Sequence, residues 1–171
     1  SVLVGAASFA CTVQAGPVLD RIRANQTVTI GYRANSAPFS YEDKGHVVGY
    51  AIDVCQRIAT ALQQQLKLPK LAVRYVPVTT ADRIPALLEG RIDLECAGST
   101  NTKARREQVA FGLTYFYAGA SILVREGEGI DGFASLRGKV LAAVKGTTGL
   151  QVAEMRVRDG RASWKVEVFE S

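Results

Sequence analysis

The fold class is decided by residues 27–77, in which a strand, a helix and a second strand follow one another. The first strand, TVTIGY (27–32), is rich in β-branched residues. From Gly49 to Leu66 apolar residues recur at helical spacing, which predicts a long amphipathic helix. The second strand is LAVRYVP (71–77). Strands that alternate with helices favour parallel pairing, so we predict an α/β fold.

The same alternation continues on both sides of this unit. A hairpin is predicted at 41–48, a helix at 80–89 with Thr79 or Thr80 as its N-cap, and a third strand at 92–96. In parallel sheets, ligands bind in the loops beyond the carboxyl ends of the strands. The residues at or just past the predicted ends are Arg33, Thr80, Arg83 and the Gly98-Ser99-Thr100 loop.

The chain divides into three parts. Residues 1–15 are uncharged, apolar and end in small residues, which is typical of the second half of a secretory signal peptide. Residues 16–117 form the first predicted α/β lobe. Residues 118–171 are interpreted as a hinge followed by the first part of a second α/β lobe, with strands at 139–144 and 165–169 around a helix at 150–158. Two strands are too few to close a core, so this lobe is expected to be incomplete.

Composition excludes several classes of function. The chain has 21 Lys+Arg against 16 Asp+Glu, a net charge of +5, and only Arg105 and Arg106 are adjacent basic residues. The absence of a basic cluster argues against nucleic-acid binding, whereas a moderate positive charge suits an anionic small ligand. His46 is the only histidine and no paired-cysteine spacing occurs, so neither a metal site nor a cofactor is predicted.

Two cysteines, Cys55 and Cys96, follow the predicted signal segment. An exported protein meets an oxidising compartment, in which a disulfide is permitted. Cys55 lies on the apolar face of its helix and Cys96 ends the third predicted strand, so a helix packed on that strand could join them. Two buried free thiols are the alternative.

Several short motifs occur in a characteristic order and spacing over about residues 18–171. They are Tyr32-Arg33 before Pro38-Phe39-Ser40-Tyr41, Val48-Gly49-Tyr50 with Asp53, Asp82-Arg83-Ile84-Pro85, Glu95-Cys96 through Arg105, and Lys145-Gly146-Thr147-Thr148. On these motifs the chain resembles the polar amino-acid substrate-binding proteins of ABC transporters, and within them the glutamate/aspartate-binding branch. The resemblance implies two lobes joined by hinge strands that close on the ligand, a chain that continues past Ser171, a periplasmic location and a membrane permease as partner.

The resemblance implies how the backbone groups of an amino acid are held. The arginine matching Arg105 grips the α-carboxylate, a role that suits the forked guanidinium group. The residues matching Thr100 and Thr148 assist it, the latter from across the cleft. Gly98 keeps the carbonyl that accepts from the ligand ammonium, while the family's acidic partner for that ammonium is expected beyond Ser171.

The resemblance also implies an acidic ligand side chain. Arg33 and Arg83 match positions that meet the distal carboxylate, with Thr80 beside them. Two guanidinium groups that converge on one pocket favour an anion and reject a cation. Phe39 is a candidate for the pocket wall, although an aromatic residue after a turn is more often part of the packing.

The favoured function is therefore capture of glutamate or aspartate for an ABC importer, and not catalysis. Two alternatives use the same fold: a periplasmic dehydratase that acts on aromatic amino-acid precursors, and the sensor domain of a membrane receptor. A dehydratase needs an acid that protonates the leaving hydroxyl, and no residue stands out for that role. No nucleophile motif of the GxSxG kind occurs in the sequence.

Overall fold

The computed structural model describes residues 16–170 and shows an α/β protein. The predicted signal peptide, residues 1–15, lies outside the described residues. The helices are α1 (Pro17–Asn25), α2 (Tyr50–Gln65), α3 (Arg83–Leu88), α4 (Lys103–Arg106) and α5 (Thr148–Arg158). The strands are β1 (Thr27–Tyr32), β2 (Asn35–Ser36), β3 (Ser40–Asp43), β4 (His46–Val48), β5 (Ala72–Pro77), β6 (Leu94–Glu95), β7 (Val140–Val144) and β8 (Lys165–Phe169).

Strand β1 is the centre of the first unit. It pairs in parallel with β5 on one side and with β6 on the other, giving the strand order β5-β1-β6. Five of its six residues are buried, because helices cover both faces of the sheet. One face packs against α1 and α2; the buried residues of that core include Ile22, Val28, Ile30, Ile52, Cys55 and Cys96. On the other face Val78, Ala86 and Ile92 form a smaller core.

The β2-β3-β4 meander links β1 to α2. Its strands are antiparallel, and Asp43 pairs with His46 across a two-residue turn, as the hairpin prediction requires. Gly49 is the N-cap of α2, and its φ is +128°, a backbone conformation that residues with a side chain rarely adopt. A Cβ on Gly49 would lie 2.5 Å from the carbonyl oxygen of Phe39, so the hairpin and the helix meet too closely for any side chain here.

Two predicted elements are shorter than the sequence pattern suggested. Helix α3 begins at Arg83, not near Thr80, and Asp82 precedes it without capping the helix by its side chain. Pro85 has no N–H to donate to the carbonyl of residue 81, which interrupts the helical hydrogen bonds there, although Arg83 and Ala86 still donate to the carbonyls of Thr79 and Asp82. The Thr79 hydroxyl instead accepts from the Asp82 N–H and closes a turn.

The third strand is likewise reduced to Leu94–Glu95 instead of 92–96. The Asp93 carboxylate accepts the N–H of Thr29 at 2.8 Å and also binds Arg21. A side chain therefore takes the place of a backbone acceptor where β6 would otherwise begin.

The second unit contains β7 and β8, which pair in parallel, and α5, which packs against both strands. A 3-10 turn at Phe133–Leu136 packs beside the buried Trp164. Between the two units, residues 110–125 have no regular secondary structure, and Leu113 and Leu123 are almost fully exposed. The boundary at residue 118 stays a prediction.

A disulfide joins Cys55 of α2 to Cys96, one residue beyond β6, with their Cα atoms 6.3 Å apart. Leu94 of β6 and Cys96 just after it belong to the core under α2, so the intervening Glu95 points to the α3 side. The disulfide thus fixes the strand that leads directly into the Gly98-Ser99-Thr100 loop.

We expect removal of both cysteines in a Cys55→Ala, Cys96→Ala variant to lower the free energy of unfolding by about 4 kcal/mol. This is the chain-entropy estimate for a closed loop with a sequence separation of 41 residues. Urea unfolding of the variant and the oxidised parent measures the difference. Alkylation of the denatured, unreduced parent followed by peptide mapping is the direct check, and labelled Cys55 and Cys96 would contradict the bond.

Candidate functional site

A cavity of about 220 Å³ opens at the carboxyl ends of the strands. Apart from Phe39, every residue predicted for ligand binding lines it. The lining residues are Arg33, Ser36, Thr80, Arg83, Gly98, Thr100, Arg105, Thr147 and Thr148.

Parallel strands explain why residues so far apart in sequence meet here. Arg33 follows β1 directly, Thr80 follows β5, and Gly98 and Thr100 follow β6. The second unit contributes the loop after β7, which enters α5 at Thr148. Each loop leaves a strand at its carboxyl end, the position at which open α/β sheets place ligand sites.

Arg33, Thr80 and Arg83 form one side of the cavity. The Arg33 guanidinium donates to the Thr80 hydroxyl, and the Arg33 N–H donates to the Ser40 hydroxyl at 2.9 Å. Arg83 opens α3 and is only 5% exposed. Its Nε is buried and finds no hydrogen-bond acceptor among residues 16–170. Arg83 thus lines the cavity with one of its donors unused.

Arg105 also lines the cavity and lies close to Arg83, because both guanidinium groups approach the Gly146 carbonyl. Thr102 caps α4 by accepting from the Arg105 N–H, which fixes the start of the arginine side chain. The Arg105 Nη1 donates to the Thr100 carbonyl at 2.9 Å, and its Nη2 donates to the Gly146 carbonyl of the second unit at 2.9 Å. The hydroxyls of Thr100 and Thr148 lie 3.4 Å apart, so the two units also meet at this pair.

Two lining residues, Ser36 and Thr147, were not among the predicted ones. Thr147 is the N-cap of α5 and accepts from the Leu150 N–H at 3.1 Å. The positive end of this 11-residue helix therefore lies at the cavity, where it favours an anion. A threonine just before a helical apolar pattern was the available signal for Thr147. Ser36 lies in the two-residue strand β2, which has no sequence pattern of its own.

The cavity is strongly cationic. None of Arg33, Arg83 and Arg105 forms an ion pair with a carboxylate in the part of the chain that the structure describes. Burial lowers the pKa of Arg83, and the nearby Arg105 and Arg33 lower it further, while Glu95 opposes the change. Burial also raises the pKa of Glu95, against the effect of the three nearby arginines.

Phe39 lies outside the cavity. Its ring packs on Phe116 at 4.8 Å and on Tyr50 at 6.4 Å between ring centroids. Tyr115 joins this aromatic group and donates its hydroxyl to the Ala97 carbonyl at 2.5 Å. The group attaches the segment after α4 to the hairpin and α2. The geometry gives Phe39 a packing role, and its contact with a ligand has no support from the structure.

Among residues 16–170, no group of three or more His, Cys, Asp and Glu side chains is placed to hold a metal ion. Over the same residues, no helix has the length and apolar character needed to cross a membrane. The arrangement that the structure does contain, guanidinium groups, hydroxyls and a helix N-terminus around a small cavity, can bind a small anion.

Loops of two α/β units that face each other across a small polar cavity are the arrangement of the two-lobed solute-binding proteins. The chain belongs to the bacterial extracellular solute-binding proteins, family 3, whose sequence profile matches residues 28–168. It is similar to the glutamate/aspartate import solute-binding protein of Escherichia coli strain K12, with 40% identity over 135 residues, or 78% of this chain and 45% of that protein. The chain thus spans less than half the length of this relative.

Solved structures give the same fold. An ancestral amino acid-binding protein, described as a precursor of cyclohexadienyl dehydratase, has 33% identity and a TM-score of 0.75 over 90% of this chain and 65% of that one. An ancestral arginine-binding protein bound to arginine has 34% identity and a TM-score of 0.72 over 85% of this chain and 62% of that one. These two neighbours share the fold but are described differently: one is an amino acid-binding precursor of an enzyme, and the other is an arginine-binding protein.

Because burial raises the pKa of the Glu95 carboxyl, we expect this group to make the stability of the protein depend on pH. Its folded pKa lies above the unfolded value of about 4.3, so the folded state binds more protons and stability falls as pH rises between the two pKa values. A Glu95→Gln variant loses this dependence. We expect its free energy of unfolding, relative to the parent, to increase from about pH 4 to about pH 7.

Urea unfolding of the two proteins at several pH values measures this change. A Glu126→Gln variant is the control, because that carboxyl lies in the exposed segment between the units. If the stability difference between Glu95→Gln and the parent stays constant across the range, Glu95 has no raised pKa in the folded state.

Proposed function

We propose that this chain is the ligand-binding part of an extracytoplasmic protein that captures L-glutamate or L-aspartate for an ABC importer. The observation that carries the proposal is the convergence of Arg33, Arg83 and Arg105 on one cavity whose lining contains no acidic side chain. Three guanidinium groups in a small volume repel one another unless an anion lies between them. An amino acid with two carboxylates supplies two anionic groups.

One carboxylate, the α-carboxylate, is assigned to Arg105 and the two threonines on either side of the cleft. Arg105 is a guanidinium with five N–H donors, and its two bonds to carbonyl oxygens leave donors for a ligand. Thr100 and Thr148 present hydroxyls from the two units. The N-terminus of α5 adds its partial positive charge. The carbonyl of Gly98 is the proposed acceptor for the ammonium group.

The distal carboxylate is assigned to Arg33 and Arg83, with Thr80 beside them. Because Arg83 is buried, its charge is poorly solvated and gains more from an anionic partner than an exposed arginine does. The same two charges would repel a lysine or arginine side chain. This matters because the fold alone does not choose the ligand, as the structural similarity to an arginine-binding protein illustrates.

The similarity to a glutamate/aspartate import protein supports the same ligand class and the importer role. Delivery to a membrane permease and location outside the cytoplasm follow from that role and from the family. The predicted signal peptide at residues 1–15 is part of this proposal.

We expect Arg83→Gln to weaken L-glutamate binding about thirtyfold or more, while L-glutamine binding changes much less. Glutamine replaces only the distal carboxylate by an amide, so the comparison isolates the group that Arg83 is proposed to meet. Removing one partner of a buried charge pair costs roughly 2–5 kcal/mol, which sets the expected factor. Isothermal titration of both ligands, with protein expressed from the whole reading frame that contains this chain, measures the four dissociation constants.

Arg23→Gln is the matched control, because it removes the same charge from an exposed position on α1. Its dissociation constants should equal those of the parent. If Arg83→Gln weakens glutamate and glutamine binding equally, Arg83 contacts the α-carboxylate, which both ligands share, and not the distal group. Tight lysine binding by the parent, with no heat from glutamate or aspartate, would exclude the acidic ligand class.

We also propose that the site binds its ligand without transforming it. A dehydratase needs a group that protonates the departing hydroxyl, and acids or bases with pKa values near neutrality do this best. The lining residues are arginine, serine, threonine and glycine, and none of these residue types usually acts as a general acid. Glu95 is not among the lining residues.

Prephenate and arogenate incubated with the protein should therefore be recovered unchanged. Mass spectrometry detects the loss of water and carbon dioxide that a dehydratase of this fold would cause. A heat-denatured sample corrects for spontaneous breakdown. If product forms faster than in the heat-denatured sample, and its rate rises in proportion to protein concentration, the protein is a dehydratase and the binding-only proposal is wrong.

A further inference from the structure

Gly146 lies in the loop between β7 and α5, next to Thr147 and Thr148, which line the cavity, but it is not itself a lining residue. Its carbonyl accepts from Arg105 Nη2 at 2.9 Å and lies 3.5 Å from Arg83 Nη2. One backbone oxygen of the second unit is thus held by two of the three arginines that belong to the first unit. It partly offsets the repulsion between these two positive charges.

The missing side chain of Gly146 matters as much as its carbonyl. Its φ is +75°, and a Cβ there would lie 3.3 Å from the carbonyl oxygen of Thr80 and 3.5 Å from the Cα of Ala81. The 3.3 Å contact with the Thr80 carbonyl oxygen is shorter than most Cβ contacts in proteins, so either Thr80 or the Gly146 loop would have to move. Thr80 is 4% exposed and its hydroxyl accepts from Arg33, so the Gly146 loop is the part that must give way.

We propose that Gly146 is a positioning residue for closure of the cleft: its carbonyl docks on Arg105 and Arg83, and its lack of a side chain lets the loop rest against Thr80. The inference rests on the proposed function, since it concerns how the same site closes on its ligand. Thr148 lies two residues further along and meets Thr100 across the cleft. A displaced Gly146 would therefore also withdraw a proposed ligand contact.

Closure and ligand binding then strengthen each other. Arg105 uses one donor for Gly146 and one for Thr100, and a guanidinium has five, so loop and carboxylate can be bound at the same time. Whichever binds first fixes the orientation of Arg105 for the other. Coupling of this kind is reciprocal, so a substitution that disfavours closure also lowers the apparent affinity for the ligand.

The test is titration of L-glutamate and L-aspartate into parent, Gly146→Ala and Gly138→Ala proteins made from the whole reading frame. Gly138 is the matched control, because it lies in the same unit with φ at +69° and a Cβ there would meet nothing within 4 Å. Both variants carry the same kind of backbone strain, whereas only Gly146→Ala touches Thr80. We expect Gly146→Ala to bind roughly tenfold more weakly, within the range usual for coupled sites, and Gly138→Ala to bind like the parent.

Small-angle scattering supplies a second readout. Ligand should lower the radius of gyration of both the parent and Gly146→Ala. The variant should require a higher ligand concentration for the same decrease, in proportion to its weaker binding. If Gly146→Ala does not fold, Gly146→Asn replaces it, since asparagine tolerates positive φ better while placing its Cβ in the same position.

The outcomes separate the two proposals. A parent that binds glutamate or aspartate, together with a Gly146 variant of unchanged affinity, overturns the inference and leaves the proposed function standing. Equal weakening by Gly138→Ala also overturns it, because strain within the second unit would then explain the loss. A parent that binds neither amino acid overturns the proposed function, and the inference with it.

Discussion

Strand β1 exchanges backbone hydrogen bonds with β5 along its whole length and with β6 near its carboxyl end, and the three strands run in the same direction. Parallel pairing sends every following loop out at one edge of the sheet. Arg33, Thr80 and Thr100 therefore converge although 67 positions separate the first from the last. The register of β1 is restricted by its two faces, because a shift by one residue would turn its large apolar side chains towards α3, where Ile92 leaves room only for Gly31.

Strand β6 shows how a short element serves the core and the site together. Alternation along the strand directs Leu94 and Cys96 towards α2, where the disulfide holds them, and directs Glu95 towards α3. Glu95 is the carboxyl whose charge acts on the buried Arg83. The disulfide on one face of the sheet thus restrains the backbone that carries the Glu95 carboxyl on the other face, close to the loop with Gly98 and Thr100.

Burying Arg83 without an ion pair to a carboxylate costs stability, and this cost arises at the proposed ligand site. A buried guanidinium is held in place by what surrounds it, and here hydroxyls and backbone carbonyls provide that support. Such groups orient an arginine without neutralising it, so its charge stays available to a ligand carboxylate. Binding sites are commonly less stable than the rest of a fold for this reason. The second unit contributes to the same site through Gly146 and Thr148.

Local patterns in the sequence determined much of this protein. The bounds of β1 and β8 and the long helix α2 follow from local patterns, and the predicted strand ends placed Arg33, Thr80, Arg83 and the Gly98-Ser99-Thr100 loop at one edge. Arg105 and Thr148 were predicted from the resemblance to a known family. Only the tertiary structure decided the late start of α3, the shortness of β6, the packing of Phe39 against Phe116 and the contact between Arg105 and Gly146. Each of the last two joins segments that are far apart in sequence. A periodic pattern reports which face of an element is buried, whereas the partner that meets that face depends on how the distant segments pack.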